Sequence, residues 1–157
     1  MKNIFLIALI FSLISFKAAA VSADDSLIAL NKAEQLVTSL PEEGRYQDSD
    51  SKNRDKIFDI LEKSVKAFKD APEDQLLLDQ IVKVASAMNK KDTEQYSSEL
   101  VLVLFDYSEP EFKNKSAAIK KRQEQYDTAL KKLSPVDAAA LKKSIQNFIR
   151  SKHQGNG

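Results

Sequence analysis

Hydrophobic positions along the chain fall into two regimes. Residues 4–16 (IFLIALIFSLISF) form one uncharged run, whereas from residue 24 onward apolar side chains recur every three or four positions among charged ones. The second pattern is that of amphipathic helices. Leu27, Leu30, Ala33, Val37 and Leu40 make a first stripe, which Asp25 and Ser26 are placed to cap and Pro41 to stop. The polar stretch 41–55 (PEEGRYQDSDSKNRD) reads as the one long loop. Ile57, Leu61, Val65 and Phe68 mark a second helix. Pro72 suits the first turn of a third, where a missing N–H costs nothing, and Leu77, Ile81, Val84 and Met88 form its stripe.

Asp92 with Gln95 has the spacing of a capping box and predicts a fourth helix. Its run 100–105 (LVLVLF) is apolar all round, which places it near the middle of a bundle. A buried strand is the other reading of so short a run, but no second strand-like run exists to pair with it. Ser108 and Glu111 make another capping box before a fifth helix, in which Phe112, Ile119, Tyr126 and Leu133 fall at sevens. Such a seam faces either the core or a second copy of the chain. Ser134-Pro135 opens a sixth helix bearing Leu141, Ile145, Phe148 and Ile149, and the tail from about 151 is expected to fray. The pattern as a whole predicts an all-α fold, a compact bundle of about six helices in one domain over 24–157. A short solenoid of helix pairs is the alternative.

The uncharged run changes the picture at the start. Lys2 precedes it, and it is too short for a membrane span, which needs roughly 20 apolar residues. It reads as the core of a cleaved signal peptide over 1–23. Small residues at −3 and −1 suit a cut after Ala23, ahead of Asp24 and Asp25; Ala18-Ala19-Ala20 offers a second place, after Ala20. The chain has no cysteine, hence no lipid-attachment motif and no disulfide framework. An exported domain of this kind must rest on its core alone, which leans toward a bacterial periplasm. Only three glycines leave little material for strand turns.

Candidate chemistry is sparse. The single histidine, His153, lies in the tail, so a Ser-His-Asp site lacks a held base and a zinc site lacks ligands. The stretch from Asp48 to Asp59 resembles a calcium loop through Asp48 and Asp50. It has Lys52 at the fifth position and Asn53 where the glycine belongs. Glu99, beside the apolar run, is the one acid placed to serve a carboxylate site. No cofactor motif is present.

Charge says more. Residues 24–51 carry seven acids against two bases, and residues 109–157 carry eleven bases against five acids. Helical i,i+4 spacing pairs Glu111–Lys115, Lys120–Glu124 and Asp127–Lys131. Lys121, Arg122, Lys132, Lys142, Lys143, Arg150 and Lys152 are left over. Such a face suits the acidic N-terminal segment of the same domain, an acidic protein partner, or anionic lipid headgroups. Arg122, Lys132, Lys143 and Arg150 are the candidate partner-binding residues. Nucleic acid is disfavoured because no aromatic residues interleave the bases. The function expected is that of an exported, non-enzymatic protein that binds another protein as inhibitor, immunity protein or chaperone-like factor, with a homodimer a further partner. A carrier of a hydrophobic or lipid ligand between helices is the alternative, given Phe58, Phe68, Phe105, Tyr107, Phe112 and Phe148. A carboxylate-based cell-wall hydrolase is the third reading.

Overall fold

Ser22 starts the first helix. Its backbone is extended (φ −69°, ψ 160°), and its Oγ accepts from the Asp25 amide at 3.1 Å. The computed structural model describes residues 21–41, 48–91 and 117–154, and every regular element among them is an α-helix. The first, α1 (Ala23–Ser39), is thus capped one turn earlier than Asp25 and Ser26 would have done it. Asp25 supplies a donor instead, and Ser26 turns inward. At the other end Leu40 returns to extended geometry (φ −71°, ψ 136°), as a residue before proline must. The last turn of α1 holds no basic residue. Lys91 supplies the charge from a distance: its Nζ donates to the Val37 carbonyl at 2.9 Å and to the Leu40 carbonyl.

The second helix, α2 (Asp48–Asp70), begins well inside the expected long loop. The sequence hid this because no apolar residue precedes Ile57 in this helix, so its first turns carry no stripe. Acids at Asp48 and Asp50 are nonetheless well placed at a helix N-terminus. The same finding removes the calcium-like loop, since Asp48 to Asp59 is helix throughout. Arg54 lies 5.6 Å from the centroid of the Phe58 ring, one turn on, where the buried face begins.

Asp74 caps α3 (Gln75–Asn89), its carboxylate accepting from the Leu77 amide at 3.0 Å. Pro72 therefore sits in the α2–α3 turn and not in the helix. The fourth helix, α4 (Ala117–Leu130), and the fifth, α5 (Pro135–Gln154), meet at a tight turn. Ser134 caps α5 as expected, accepting from the Asp137 amide at 3.1 Å, and the helix continues past 151 to Gln154. The predicted fourth helix with its Asp92 box, Glu99, the run 100–105, the Ser108 box and Phe112 lie outside the described residues, as do residues 1–20 of the predicted signal peptide.

All four predicted positions of the second stripe and all four of the third are buried. In α3, Leu78, Val82, Ala85 and Ser86 are buried as well, so the buried face of this helix is wider than a single stripe and takes in more than half of its circumference. Among the described helices it packs against each of the others, with α1 also lying along α2. Each fully buried Leu, Ile, Val or Phe contributes about 1.5–3 kcal/mol. Tyr126 and Leu133, the described side chains of the sevens, pack on this same core.

The polar positions of α3 meet partners on α1. Gln80 Nε2 donates to Asn31 Oδ1 at 3.1 Å and to Glu34 Oε2 at 2.9 Å, and Lys83 Nζ reaches Glu34 Oε1 at 2.8 Å. Hydrogen bonds from Lys83 and Gln80 hold the Glu34 carboxyl below its ordinary value of 4.5. A carboxyl depressed by folding stabilises fully above its unfolded value and loses that contribution as pH falls through the folded one. An NMR titration should place the Glu34 midpoint below 4.5, and Lys83→Met should move it upward. A midpoint that the substitution leaves in place would mean the contact does not persist in solution.

Ser26 yields a second expectation. It is 1% exposed, and its hydroxyl has no hydrogen-bond partner among the described residues. Burying such a group costs about 1–3 kcal/mol, and alanine is also the better helix former. Ser26→Ala should raise stability by about 0.5–1.5 kcal/mol in urea titration; a loss of that size would show that the hydroxyl is satisfied after all.

Candidate functional site

The basic C-terminal segment is divided by what α3 does with it. Lys121 of α4 reaches back to Glu73 in the α2–α3 turn, at 2.5 and 2.6 Å to its two carboxylate oxygens. Lys132, in the turn after α4, donates to Asp79 Oδ2 on α3. The Asp79 side chain is 12% exposed against 59% for Lys132, so the lysine comes down onto a sheltered carboxylate. Gln75 completes this clasp: its Nε2 donates to Asp79 Oδ1 at 2.8 Å and to the Gln125 carbonyl at 3.0 Å, while Gln125 Nε2 donates to the Pro72 carbonyl at 2.8 Å. These two ion pairs, from Lys121 and Lys132, thus run across helices to the α2–α3 region.

The four candidate residues separate accordingly. Lys132 is an internal partner, and Arg122 is half-buried on α4. Lys143 and Arg150 are exposed on α5, seven residues apart and so on one stripe of it. Neither forms an ion pair among the described residues, and the same holds for Lys142 beside them. The inward stripe of α5 carries Leu141 and Ser144, both buried, which fixes the helix with this basic face outward.

Between the end of α4 and the start of α5 lies an open groove of about 420 Å³. One stripe from each helix lines it: Asp127, Leu130 and Lys131 from α4 and its end, Pro135, Ala138 and Lys142 from α5, with Leu133 in the turn between. Its floor is apolar and its rim holds two lysines and one aspartate. The turn is rigidly bonded, with Lys132 and Leu133 amides donating to the Ala129 and Leu130 carbonyls at 3.1 Å. Lys90 Nζ, at the end of α3, pins the start of α5 through Asp137 at 2.6 Å. That contact and the Ser134 hydroxyl hold the Asp137 carboxyl below its usual range. Burial pushes the Tyr126 phenol well above its ordinary value, with the Asp127 charge adding to it, so this group stays neutral.

Sequence reasoning missed the groove because it joins two stripes across a turn. Lys142 was visible as an unpaired base; its position beside Lys131 was not. Among the described residues no cluster of three or more His, Cys, Asp or Glu side chains could hold a metal ion, and no helix is long and apolar enough to cross a membrane. No family model, curated protein or solved structure matches the chain.

The division of bases is testable by stability. Lys132→Met should cost about 1 kcal/mol, more at low salt, because it strands the sheltered Asp79 carboxylate. Lys143→Met should change stability by less than about 0.5 kcal/mol. Equal effects from the two substitutions in urea titration would erase the distinction between internal and outward bases.

Proposed function

We propose that this is an exported, non-enzymatic helical protein of the bacterial periplasm that binds an acidic protein partner through the outer face of α5 and the groove at its start. One observation carries the reading. Lys121 and Lys132 are drawn onto acids of the α2–α3 region, whereas Lys142, Lys143 and Arg150 form no ion pair among the described residues and stand on an exposed face. A helix docked by its opposite side presents those charges as a set. Beside them the groove adds apolar floor area at Leu130, Leu133 and Ala138, the combination of apolar centre and charged rim that suits a protein surface. Arg150 can grip a carboxylate with two hydrogen bonds, and the lysines steer the approach.

Export rests on Lys2, the uncharged run 4–16 and the small residues that follow it. The same groove gives the carrier reading its best place, since an alkyl chain could lie on the floor with a headgroup anion between Lys131 and Lys142. Its openness to solvent favours a docking surface, because ligand pockets bury most of what they hold.

The test uses the exported protein and the Lys142→Glu, Lys143→Glu, Arg150→Glu variant as parallel baits in a periplasmic extract of a Gram-negative host, beside phosphatidylglycerol vesicles. The reversal should leave helicity and thermal midpoint unchanged and weaken retention of an acidic protein by about tenfold or more, with the wild-type contact released by salt. Vesicle binding that the reversal abolishes, with no protein retained, would assign the face to lipid. Equal retention by both baits would remove α5 from the contact.

A further inference from the structure

We infer that the acidic partner of the outer face of α5 is a second copy of this chain, which lays the outer face of its α1 antiparallel along it; this rests on the docking reading above. Two exposed aliphatic side chains start the argument. Val136 is 77% exposed near the start of α5, and Ile28 is 56% exposed on α1. One such side chain is ordinary on a surface. The charges set beside these two make the pair informative.

Ile28 has Asp24 one turn before it and Lys32 one turn after, both exposed. Leu30, Ala33 and Val37 bury the opposite side of α1, so Asp24 and Ile28 stand near the middle of its outer face. On α5, Leu141 and Ser144 face the core, while Val136, Ala139 and Lys143 share the outer face at spacings of three and four. At about 1.5 Å per residue, Asp24 lies about 6 Å along the axis from Ile28, and Lys143 lies about 6 Å from Ala139. Set antiparallel with Ile28 on Ala139, the two helices bring Asp24 of one copy to Lys143 of the other. The methylene stem of Lys32 then covers Val136 and leaves its ammonium in water. Asp24 and Lys143 form no ion pair among the described residues, so this contact breaks none of them.

Charge fixes the direction. Turned parallel, the same faces would set Lys32 on Lys143 and Asp24 beside Val136, which joins like charges and leaves a carboxylate on an apolar side chain. Antiparallel docking also puts the positive end of the α1 dipole toward the negative end of α5. One helix on one helix lies at the small end of specific interfaces, so the association is weak, and its charge pair makes it sensitive to salt. Two different faces meet, so the contact is heterologous.

The full chain is expressed in a Gram-negative host, and the soluble product is followed by sedimentation velocity. Its average mass should rise with concentration in low salt and return to that of the monomer at about 1 M salt, where charges are screened beyond about 3 Å. Asp24→Lys and Lys143→Glu should each weaken self-association by about tenfold or more, with helicity and thermal midpoint unchanged. An equimolar mixture of these two variants should associate again, because each supplies the charge that the other now needs. Ile28→Ser should weaken the association with no change of charge. A mixture that stays monomeric while the wild type associates would overturn the pairing of α1 with α5. A wild-type monomer at every concentration that still retains a different acidic protein on α5 would overturn the second copy as occupant and leave the docking reading standing. A monomer that retains nothing would overturn both.

Discussion

A helix whose buried face takes in more than half of its circumference needs more than one neighbour to keep it dry, and α3 sets that demand for the described part of the molecule. Eight of its fifteen residues are buried, and its neighbours α1, α2, α4 and α5 each lie against it. The few polar positions it keeps are spent on placing those neighbours. Gln80 and Lys83 engage Asn31 and Glu34 of α1, whereas Gln75 and Asp79 engage Gln125 and Lys132 at the other side. Apolar burial holds the helices together without specifying their register, because it depends on area and hardly on direction. The directional contacts supply the register. With no cysteine in the chain, no covalent tie replaces either.

This arrangement explains why part of the fold could be read along the chain. Ile57, Leu61, Val65 and Phe68, or Leu77, Ile81, Val84 and Met88, repeat at helical spacing because each helix has a side that must be dry. Wherever burial did not act, the signal failed. The first turns of α2 hold no apolar residue before Ile57 and so show no periodicity, and helix passed for loop. Ser22 was obscured for another reason: it lies among small residues that suit a peptidase and a helix cap equally well. Asp25 and Ser26 were chosen as caps by residue type, which does not reveal that Ser26 points inward.

The candidate site was less legible than the fold. An unpaired base is visible in a sequence only against local partners, three or four residues away. Lys132 and Asp79 are 53 residues apart, and their pairing follows from how α4 crosses α3, which no local pattern encodes. Lys143 and Arg150 are exposed because α5 docks by its other side, through Leu141 and Ser144. Packing geometry therefore divides the bases of the C-terminal segment into those held on acids of the α2–α3 region and those left exposed.

Lys91 gives α1 two unequal ends. At the start, one exposed serine closes the helix with bonds made inside its own first turn. At the finish, an ammonium from beyond α3 holds the Val37 and Leu40 carbonyls, so opening that end means separating two helices. Amide hydrogens near Val37 then exchange only with larger openings that include the end of α3, while those near Asp25 exchange by local fraying. The helix unravels from its beginning, and its last turn belongs kinetically to the core.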